Sequence, residues 1–235
     1  MKKICILFVL VFSVFCGIIE VNAMNTGFET EELPQDQIET ILVNTNIKLL
    51  SSEPAKRSIQ HFDVNYNGLI AIVQENLACE CICVYSSGGV FQYGYTFDTD
   101  GSTYVEWDND NLNIYFVRSD IIISLTPEAE VVGICKALNS TENNRYINRS
   151  LRGTEKDING VTYRIGNDMP ALNWLASSYS QITVTDGSGA QTVIYDVGNG
   201  QFGGMLAVVA AVVVFLCVFV VLFIRQTKRM RQQSR

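Results

Sequence analysis

Histidine is almost absent from this chain of 235 residues, because His61 is the only one. A Ser-His-Asp or Cys-His arrangement therefore has a single conceivable centre. His61 precedes a β-rich segment and lies beside Phe62, so we expect a half-buried structural histidine rather than a base. The sequence also lacks a P-loop, a G-x-S-x-G motif, an H-E-x-x-H motif and a dinucleotide-binding fingerprint. We predict no catalytic, cofactor-binding or metal-binding residues, and hence a protein that is not an enzyme and needs no cofactor.

Basic residues are scarce in the middle of the chain. Between positions 24 and 204 there are ten lysines and arginines against 23 aspartates and glutamates, a formal charge of −13 over 181 residues. Such a charge argues against nucleic acid or anionic lipid headgroups as a ligand of this region. We expect the charge mainly to keep the domain soluble. The 181 residues suffice for one domain with a real core.

Long apolar runs are present at both ends of the chain. The first has two lysines, then apolar residues 4–19, then Val21-Asn22-Ala23, a pattern typical of a cleaved signal peptide over 1–23. The second, 205–224, is 20 uncharged residues, the length needed to cross a hydrocarbon core of about 30 Å. A basic tail over 225–235 follows, which predicts a cytoplasmic C-terminus.

These runs divide the chain and predict its location. We expect a single-pass protein of the cell (plasma) membrane with its N-terminus outside. The predicted segments are a signal peptide (1–23), an acidic lead and linker (24–58), an extracellular β-repeat domain (59–197), a Gly-rich linker (198–204), a transmembrane helix (205–224) and a basic cytoplasmic tail (225–235). Within the lead, residues 25–37 are interpreted as flexible, and 38–50 fit either a helix or a strand.

An internal repeat organises the β-rich part. The stretch 62–72 returns in altered form at 105–115, and each copy runs through an Asn- and Asp-rich turn into a β-rich strand. A second hairpin follows each copy, around the turns 86–89 and 126–130. A worn third copy covers 159–165 and a hairpin around 186–189. Two insertions interrupt the pattern. We predict that 139–157 is a polar loop and that 169–178 forms a short helix. Four short strands per unit at this period are typical of propeller blades.

Several of these stretches carry a resemblance to known proteins. Gly68-Leu69-Ile70-Ala71-Ile72, the hairpin 84–91 and Val105-Glu106-Trp107-Asp108 resemble blades of β-propeller proteins. With 165–168 and 178–181, the chain resembles small uncharacterised single-pass membrane proteins of clostridial (Firmicutes) bacteria. This resemblance covers 59–197 and implies no activity. The expected fold is mainly β: incomplete β-propeller-like antiparallel repeats, two clear and one worn, plus one C-terminal transmembrane helix. Closed propellers have four to eight blades, so open sheet edges remain to pair with another chain.

Four cysteines lie outside the two apolar runs: Cys79, Cys81, Cys83 and Cys135. The first three alternate, which places their sulfurs on one face if the segment is a strand. Three interpretations stay open: a metal site, a disulfide between Cys135 and one of the others, or small apolar core residues. The spacing is not that of a structural zinc motif, so the first is the weakest.

For several other side chains, the sequence allows both a structural and a functional interpretation. Asp98-x-Asp100 and Asp108-x-Asp110 resemble halves of a calcium loop but lack its closing glutamate. Tyr93, Tyr95, Tyr104 and Trp107 could form a sugar-binding surface, although alternating tyrosines are more often core residues. Glu106 and Asp108 share a strand face, as two carboxylates of a glycan hydrolase would require.

The expected function is therefore binding or assembly by a membrane-anchored extracellular module. Its partner is a protein, or a second copy of the chain through sheet edges, and not nucleic acid. The alternatives are a cell-envelope glycan hydrolase that uses carboxylates, or a ligand sensor acting through a membrane partner.

Overall fold

A computed structural model describes residues 24–74, 80–167, 178–198 and 206–220, together with Phe223. The described chain is mainly β and forms three antiparallel sheets, none of which closes. This confirms the predicted mainly β, antiparallel fold. The predicted signal peptide and basic tail lie outside the described residues, as does the Gly-rich linker apart from Gly198.

Each sheet is built on a meander of four consecutive strands. The central sheet consists of β2 (Lys48–Leu49), β3 (Ile59–Val64), β4 (Ile70–Gln74), β5 (Glu80–Tyr85) and β6 (Phe91–Phe97). The second sheet consists of β1 (Thr30–Glu31), β7 (Thr103–Asp108), β8 (Asn111–Phe116), β9 (Ile121–Leu125) and β10 (Val131–Ala137). The third sheet consists of β11 (Glu155–Ile158), β12 (Val161–Gly166), β13 (Gln181–Thr185) and β14 (Gln191–Asp196).

The three meanders correspond to the three sequence repeats. The first hairpins are β3–β4, β7–β8 and β11–β12, and the second hairpins are β5–β6, β9–β10 and β13–β14. The worn third copy thus forms a complete four-stranded sheet. Its turn 186–189 is closed by the side chain of Asp186, which accepts from the amides of Ser188 and Ala190, with Gly189 at φ +85°.

The central sheet is buried on both faces. In β4, Ala71 and Val73 pack against the second sheet, while Ile70 and Ile72 pack against the third. All five residues of β4 are buried, so the strand has a continuous apolar run instead of an alternating pattern. The core therefore consists of two layers of side chains, one on each side of the central sheet.

The segment before the repeats forms regular structure, unlike the flexible lead expected from its composition. Residues 24–31, which we call the strap, run across the outer face of the second sheet and end in β1, paired with β10. Phe28 in the strap is only 7% exposed. The ambiguous region that follows is the helix α1 (Gln35–Thr45) and then β2. The left-handed Asn46 (φ 49°) ends α1, its N–H donating to the Leu42 carbonyl.

The insertion before the third repeat is also ordered, contrary to the polar loop expected there. Helix α2 (Thr141–Tyr146) continues into a π-helical turn (Ile147–Leu151) and then into β11. Ser140 caps α2 by accepting from the Asn143 N–H at 3.1 Å. The other insertion, 169–178, lies outside the described residues except for Ser178.

At the C-terminal end the described residues 206–220 are helical. Within the described ranges, no helix combines the length and the apolar character that crossing a membrane requires. Residues 205, 221, 222 and 224 of the predicted span lie outside the described part.

Candidate functional site

Two side chains of β3 accept hydrogen bonds from backbone N–H groups on the unpaired edge of β7. The Val105 N–H donates to Nδ1 of His61 at 3.1 Å, and the Trp107 N–H donates to Oδ2 of Asp63 at 2.9 Å. Both pairs have the i, i+2 spacing of extended strands, so the side chains replace the neighbouring strand that β7 lacks on this side. The sequence carries no local signal for this arrangement.

His61 is fully engaged and electrically neutral. Because its Nδ1 accepts from Val105, its Nε2 carries the hydrogen and donates to the Leu151 carbonyl at 2.5 Å. Burial lowers the pKa of His61 to about 3, an effect that the hydrogen bond to Leu151 only partly offsets. The expectation of a structural histidine fits this geometry, although the ring is fully buried rather than half-buried.

Asp63 joins all three sheets. Its Oδ1 lies 2.9 Å from Nζ of Lys156 in β11, and Lys156 also donates to the Ser150 carbonyl at 3.1 Å. The Trp107 indole donates to the Asp63 carbonyl at 3.3 Å. These contacts occupy the carboxylate, so Asp63 holds strands together.

Glu106 and Asp108 lie on the outer face of the second sheet, as their spacing predicts, and they bind the strap. Asp108 Oδ2 accepts from the Asn25 N–H at 2.8 Å. Glu106 accepts from the Thr26 hydroxyl at 2.8 Å and from the Gly27 N–H at 3.3 Å. These contacts with the backbone and the Thr26 hydroxyl of the strap occupy the carboxylates on which the hydrolase alternative depends.

Aromatic rings complete the strap site. The Tyr146 hydroxyl donates to Glu106, and burial together with this hydrogen bond raises the pKa of Tyr146. The Tyr146 ring lies against Gly27 so closely that a Cβ there would fall 2.1 Å from a ring carbon. The Phe28 ring packs between Tyr115 and Tyr146, with centroid distances of 4.6 and 5.1 Å. The strap therefore requires glycine at one position and an aromatic residue at the next.

Further along the strap, one asparagine side chain binds both the N–H and the carbonyl of a single strap residue. The Asn143 amide accepts from the Glu29 N–H and donates to the Glu29 carbonyl, both at 2.8 Å. Asn113 in β8 donates to the Asn25 carbonyl at 2.8 Å. Sequence reasoning missed this role of both asparagines because each acts on a residue 88 to 114 positions away.

The three described cysteines between the two apolar runs, Cys81, Cys83 and Cys135, occupy two separate places. Cys81 and Cys83 share a face of β5, as the alternation predicts, and their Sγ atoms are 3.5 Å apart between the central and third sheets. Cys135 lies beneath the strap, in a different apolar cluster. All three are buried free thiols, so the disulfide interpretation fails for Cys135 with Cys81 or Cys83 and the core interpretation fits. Cys79 lies outside the described residues.

The acidic turns do not come together. Asp98 and Asp100 precede β7, whereas Asp108 is its last residue and Asp110 lies in the turn that follows, so the length of the strand separates the two pairs. Asp98 accepts from the Asn46 side chain at 3.1 Å and, with Asp100, lines a cavity of about 310 Å³ beside the end of α1. Among the described residues, no group of three or more His, Cys, Asp or Glu side chains is placed to hold a metal ion.

The four candidate sugar-binding aromatics do not form one surface. Tyr95 is buried in the core and donates to the Thr126 carbonyl at 2.6 Å, and Tyr93 packs against it. Tyr104 and Trp107 lie on opposite faces of β7, since Tyr104 packs with the cluster beneath the strap and Trp107 packs towards the central sheet. Packing against neighbouring side chains explains the position of each of these four aromatic residues.

The outer face of the third sheet is polar and accessible. In β12, Tyr163 and Ile165 point inward and are buried, whereas Thr162 and Arg164 point outward. The outward side chains line a shallow concavity of about 590 Å³ and include Glu155, Thr162, Arg164, Gln181, Thr183, Thr185 and Gln191. Arg164 donates to Glu155 at 2.7 Å through Nε. The alternation of these strands is visible in the sequence, but nothing in the sequence marks their outward face as a binding surface.

No family model, curated protein or solved structure matches the chain. The resemblance to clostridial membrane proteins therefore stays an expectation from the sequence.

Proposed function

We propose that the chain is a single-pass membrane protein that displays its three-sheet domain outside the cell as a binding module without catalytic activity. The signal-peptide pattern of 1–23, the uncharged run 205–224 and the basic tail support this placement. The bound partner is a protein, recognised through the outer face of the third sheet.

The observation that carries the proposal is the character of that face. Its threonines, glutamines and single arginine offer hydrogen-bond donors and acceptors in rows along neighbouring strands. None of the described residues that line the concavity is aromatic, so they offer no ring on which a sugar could stack. Glu155 and Arg164 are the charged side chains of that lining, and Asp157 and Asp196, which bond to its Thr162 and Gln181, make the face acidic. A protein surface that supplies complementary polar groups around Arg164, whose side chain is 65% exposed, fits this chemistry.

The same face supports an interpretation as an incomplete propeller. The first strands of the meanders come together, because β3 contacts both β7 and β11. Each inner interface is apolar, whereas the outer face of the third sheet is polar. A further blade packed through apolar side chains, like those of the inner interfaces, would leave these polar groups unpaired, which costs free energy. Apolar stacking of a further sheet, or of a second copy of the chain, on this face is therefore disfavoured.

The alternatives from other classes receive less support. The hydrolase alternative needs Glu106 and Asp108, and both bind the strap. The sensor alternative needs an output, and a tail of 11 residues is too short to fold. A sensor would thus act through a membrane partner, which is itself an interaction.

The test is cross-linked affinity capture of the full-length protein from its native membranes. We expect a stoichiometric second protein that Arg164→Glu loses. Arg149→Glu is the matched control, since it makes the same charge change at an exposed position on the π-helical turn. Equal recovery of the partner with both variants would rule out the third-sheet face, and turnover of envelope glycans abolished by Glu106→Gln would favour the hydrolase.

A further inference from the structure

The strap begins directly after the predicted end of the signal peptide. The first residue beyond Ala23 is Met24, which packs beside Gly133, where an added Cβ would lie 3.5 Å from the Met24 Cβ. The next residue, Asn25, is already bound to Asp108 and Asn113. There is no spare chain between the predicted cleavage point and the packed domain.

Around this end of the strap, the carboxylates have no basic partner among the described residues, and one buried amide oxygen has no described hydrogen-bond donor. Among the described residues, no lysine or arginine forms an ion pair with Glu106 or Asp108, in contrast to Asp63 with Lys156. Asn113 is only 2% exposed, and its Oδ1 has no hydrogen-bond partner among the described residues, although the same amide donates to the Asn25 carbonyl. A buried acceptor without a donor is uncommon and costs free energy.

We propose that this end of the second sheet is a receptor for the amino terminus that signal removal creates. A signal peptidase hydrolyses the bond between Ala23 and Met24 with one water molecule. The C–N bond breaks, Ala23 retains a carboxylate, and the new amine of Met24 takes a proton. The resulting ammonium group has three N–H donors and one positive charge. It supplies the missing cation to Asp108 and the missing donor to Asn113, both of which already contact the adjacent Asn25.

The geometry also sets the order of events. A peptidase acts on an extended and accessible segment, whereas the docked strap is bound from Asn25 onward. Cleavage therefore precedes docking of the strap, and the ammonium contacts with Asp108 and Asn113 form only in the processed chain. This inference rests on the export that the proposed function requires.

The experiment compares the processed and unprocessed full-length protein. Intact-mass analysis of the membrane-purified protein is expected to show a chain that begins at Met24. In this chain, Asp108→Asn lowers the Tm by about 3–6 °C, while the control Asp110→Asn, in the adjacent exposed turn, changes it by less than about 1 °C. In the unprocessed variant Ala23→Phe, whose bulky residue blocks the cleavage site, the effect of Asp108→Asn falls below about 1 °C.

A second measurement covers the case in which the unprocessed chain does not fold. Acetylation of the mature amino terminus removes its charge without changing the sequence. We expect it to lower the Tm of the parent by a similar amount and to have no effect on the Asp108→Asn variant. A mature chain that begins elsewhere, or an Asp108→Asn effect that is the same with and without the free ammonium group, would overturn the proposal. Partner capture with the same samples tests the proposed function separately, because the strap and the third-sheet face lie on different sheets.

Discussion

The central and third sheets have the same four-stranded meander but opposite surroundings. The central strand β4 is buried at all five positions, whereas β12 alternates between buried and accessible residues. The difference comes from packing on two faces in one case and on one face in the other. Strand composition thus indicates whether a sheet is packed on one face or on both. The polar outer face of the third sheet is the face on which no further described sheet packs.

The largest expected effect contrasts an interior and a surface position. Ile72 in β4 is 1% exposed between the central and third sheets, while Val193 in β14 is 49% exposed. We expect Ile72→Ala to lower the free energy of unfolding by about 2–5 kcal/mol, because it removes buried methyl groups and leaves a cavity.

Val193→Ala is the matched control, with an expected change below about 0.5 kcal/mol. Urea unfolding of the purified variants measures both. Similar losses at the two positions would mean that the outer face of the third sheet is covered in the protein.

The next effect concerns acid stability at the junction of the sheets. His61 has a pKa of about 3 in the folded protein and 6.5 as a free side chain, so only the unfolded chain takes up its proton between these values. The His61 contribution is therefore present above pH 6.5 and is lost as the pH falls. Between pH 6.5 and 5 the loss is about 2 kcal/mol, at about 1.4 kcal/mol per pH unit.

His61→Gln isolates this contribution, because glutamine can accept from Val105 and donate to Leu151 without titrating. The comparison of the two proteins is needed because Glu80 titrates in the same pH range. Burial raises the pKa of Glu80 to about 7, so its contribution lowers the free energy of unfolding as the pH rises from 4.5 to 7. Unfolding free energies measured from pH 7 to 5 should differ in slope between the two proteins. Parallel curves would contradict a neutral, buried His61.

The smallest expected difference is between two glycines in corresponding turns. Gly89 and Gly189 have φ values of +77° and +85°, in the β5–β6 and β13–β14 hairpins. A Cβ on Gly89 would lie 2.3 Å from the Ile194 carbonyl oxygen, whereas one on Gly189 would meet nothing within 4 Å. The β5–β6 turn of the central sheet therefore packs directly on the third sheet.

We expect both Gly→Ala changes to cost about 1 kcal/mol for the left-handed backbone. Gly89→Ala should cost about 1–2 kcal/mol more, because the backbone of the turn or of β14 must shift. Thermal unfolding of the two variants measures the difference. Equal losses would mean that the two sheets separate at this contact without cost.

Local patterns predicted much of the fold. The hairpins β5–β6 and β9–β10 follow the strands and turns read from the sequence, because alternation and turn chemistry depend on residues a few positions apart. The strap was interpreted as flexible because polar and acidic residues dominate it. Phe28 is buried only because Tyr115 and Tyr146 enclose it, and no local pattern contains that contact.

The same limit applies to the candidate site residues. Sequence spacing placed Glu106 and Asp108 on one face, which the structure confirms, but gave no indication that the strap would bind them. The helix α2 was missed because its polar sequence is held by Asn143, which binds Glu29 from the strap. Each of these roles depends on a partner about 80 to 114 residues away.

By itself, the sequence determined the β class, the three repeats and the alternation of each strand, since these follow from local side-chain period and turn residues. Only the tertiary structure decided which sheet is buried on both faces, where the series of sheets ends, and that His61 and Asp63 satisfy the edge of β7. Those outcomes depend on strands that lie 44 or more residues apart in the chain and meet only after the sheets pack.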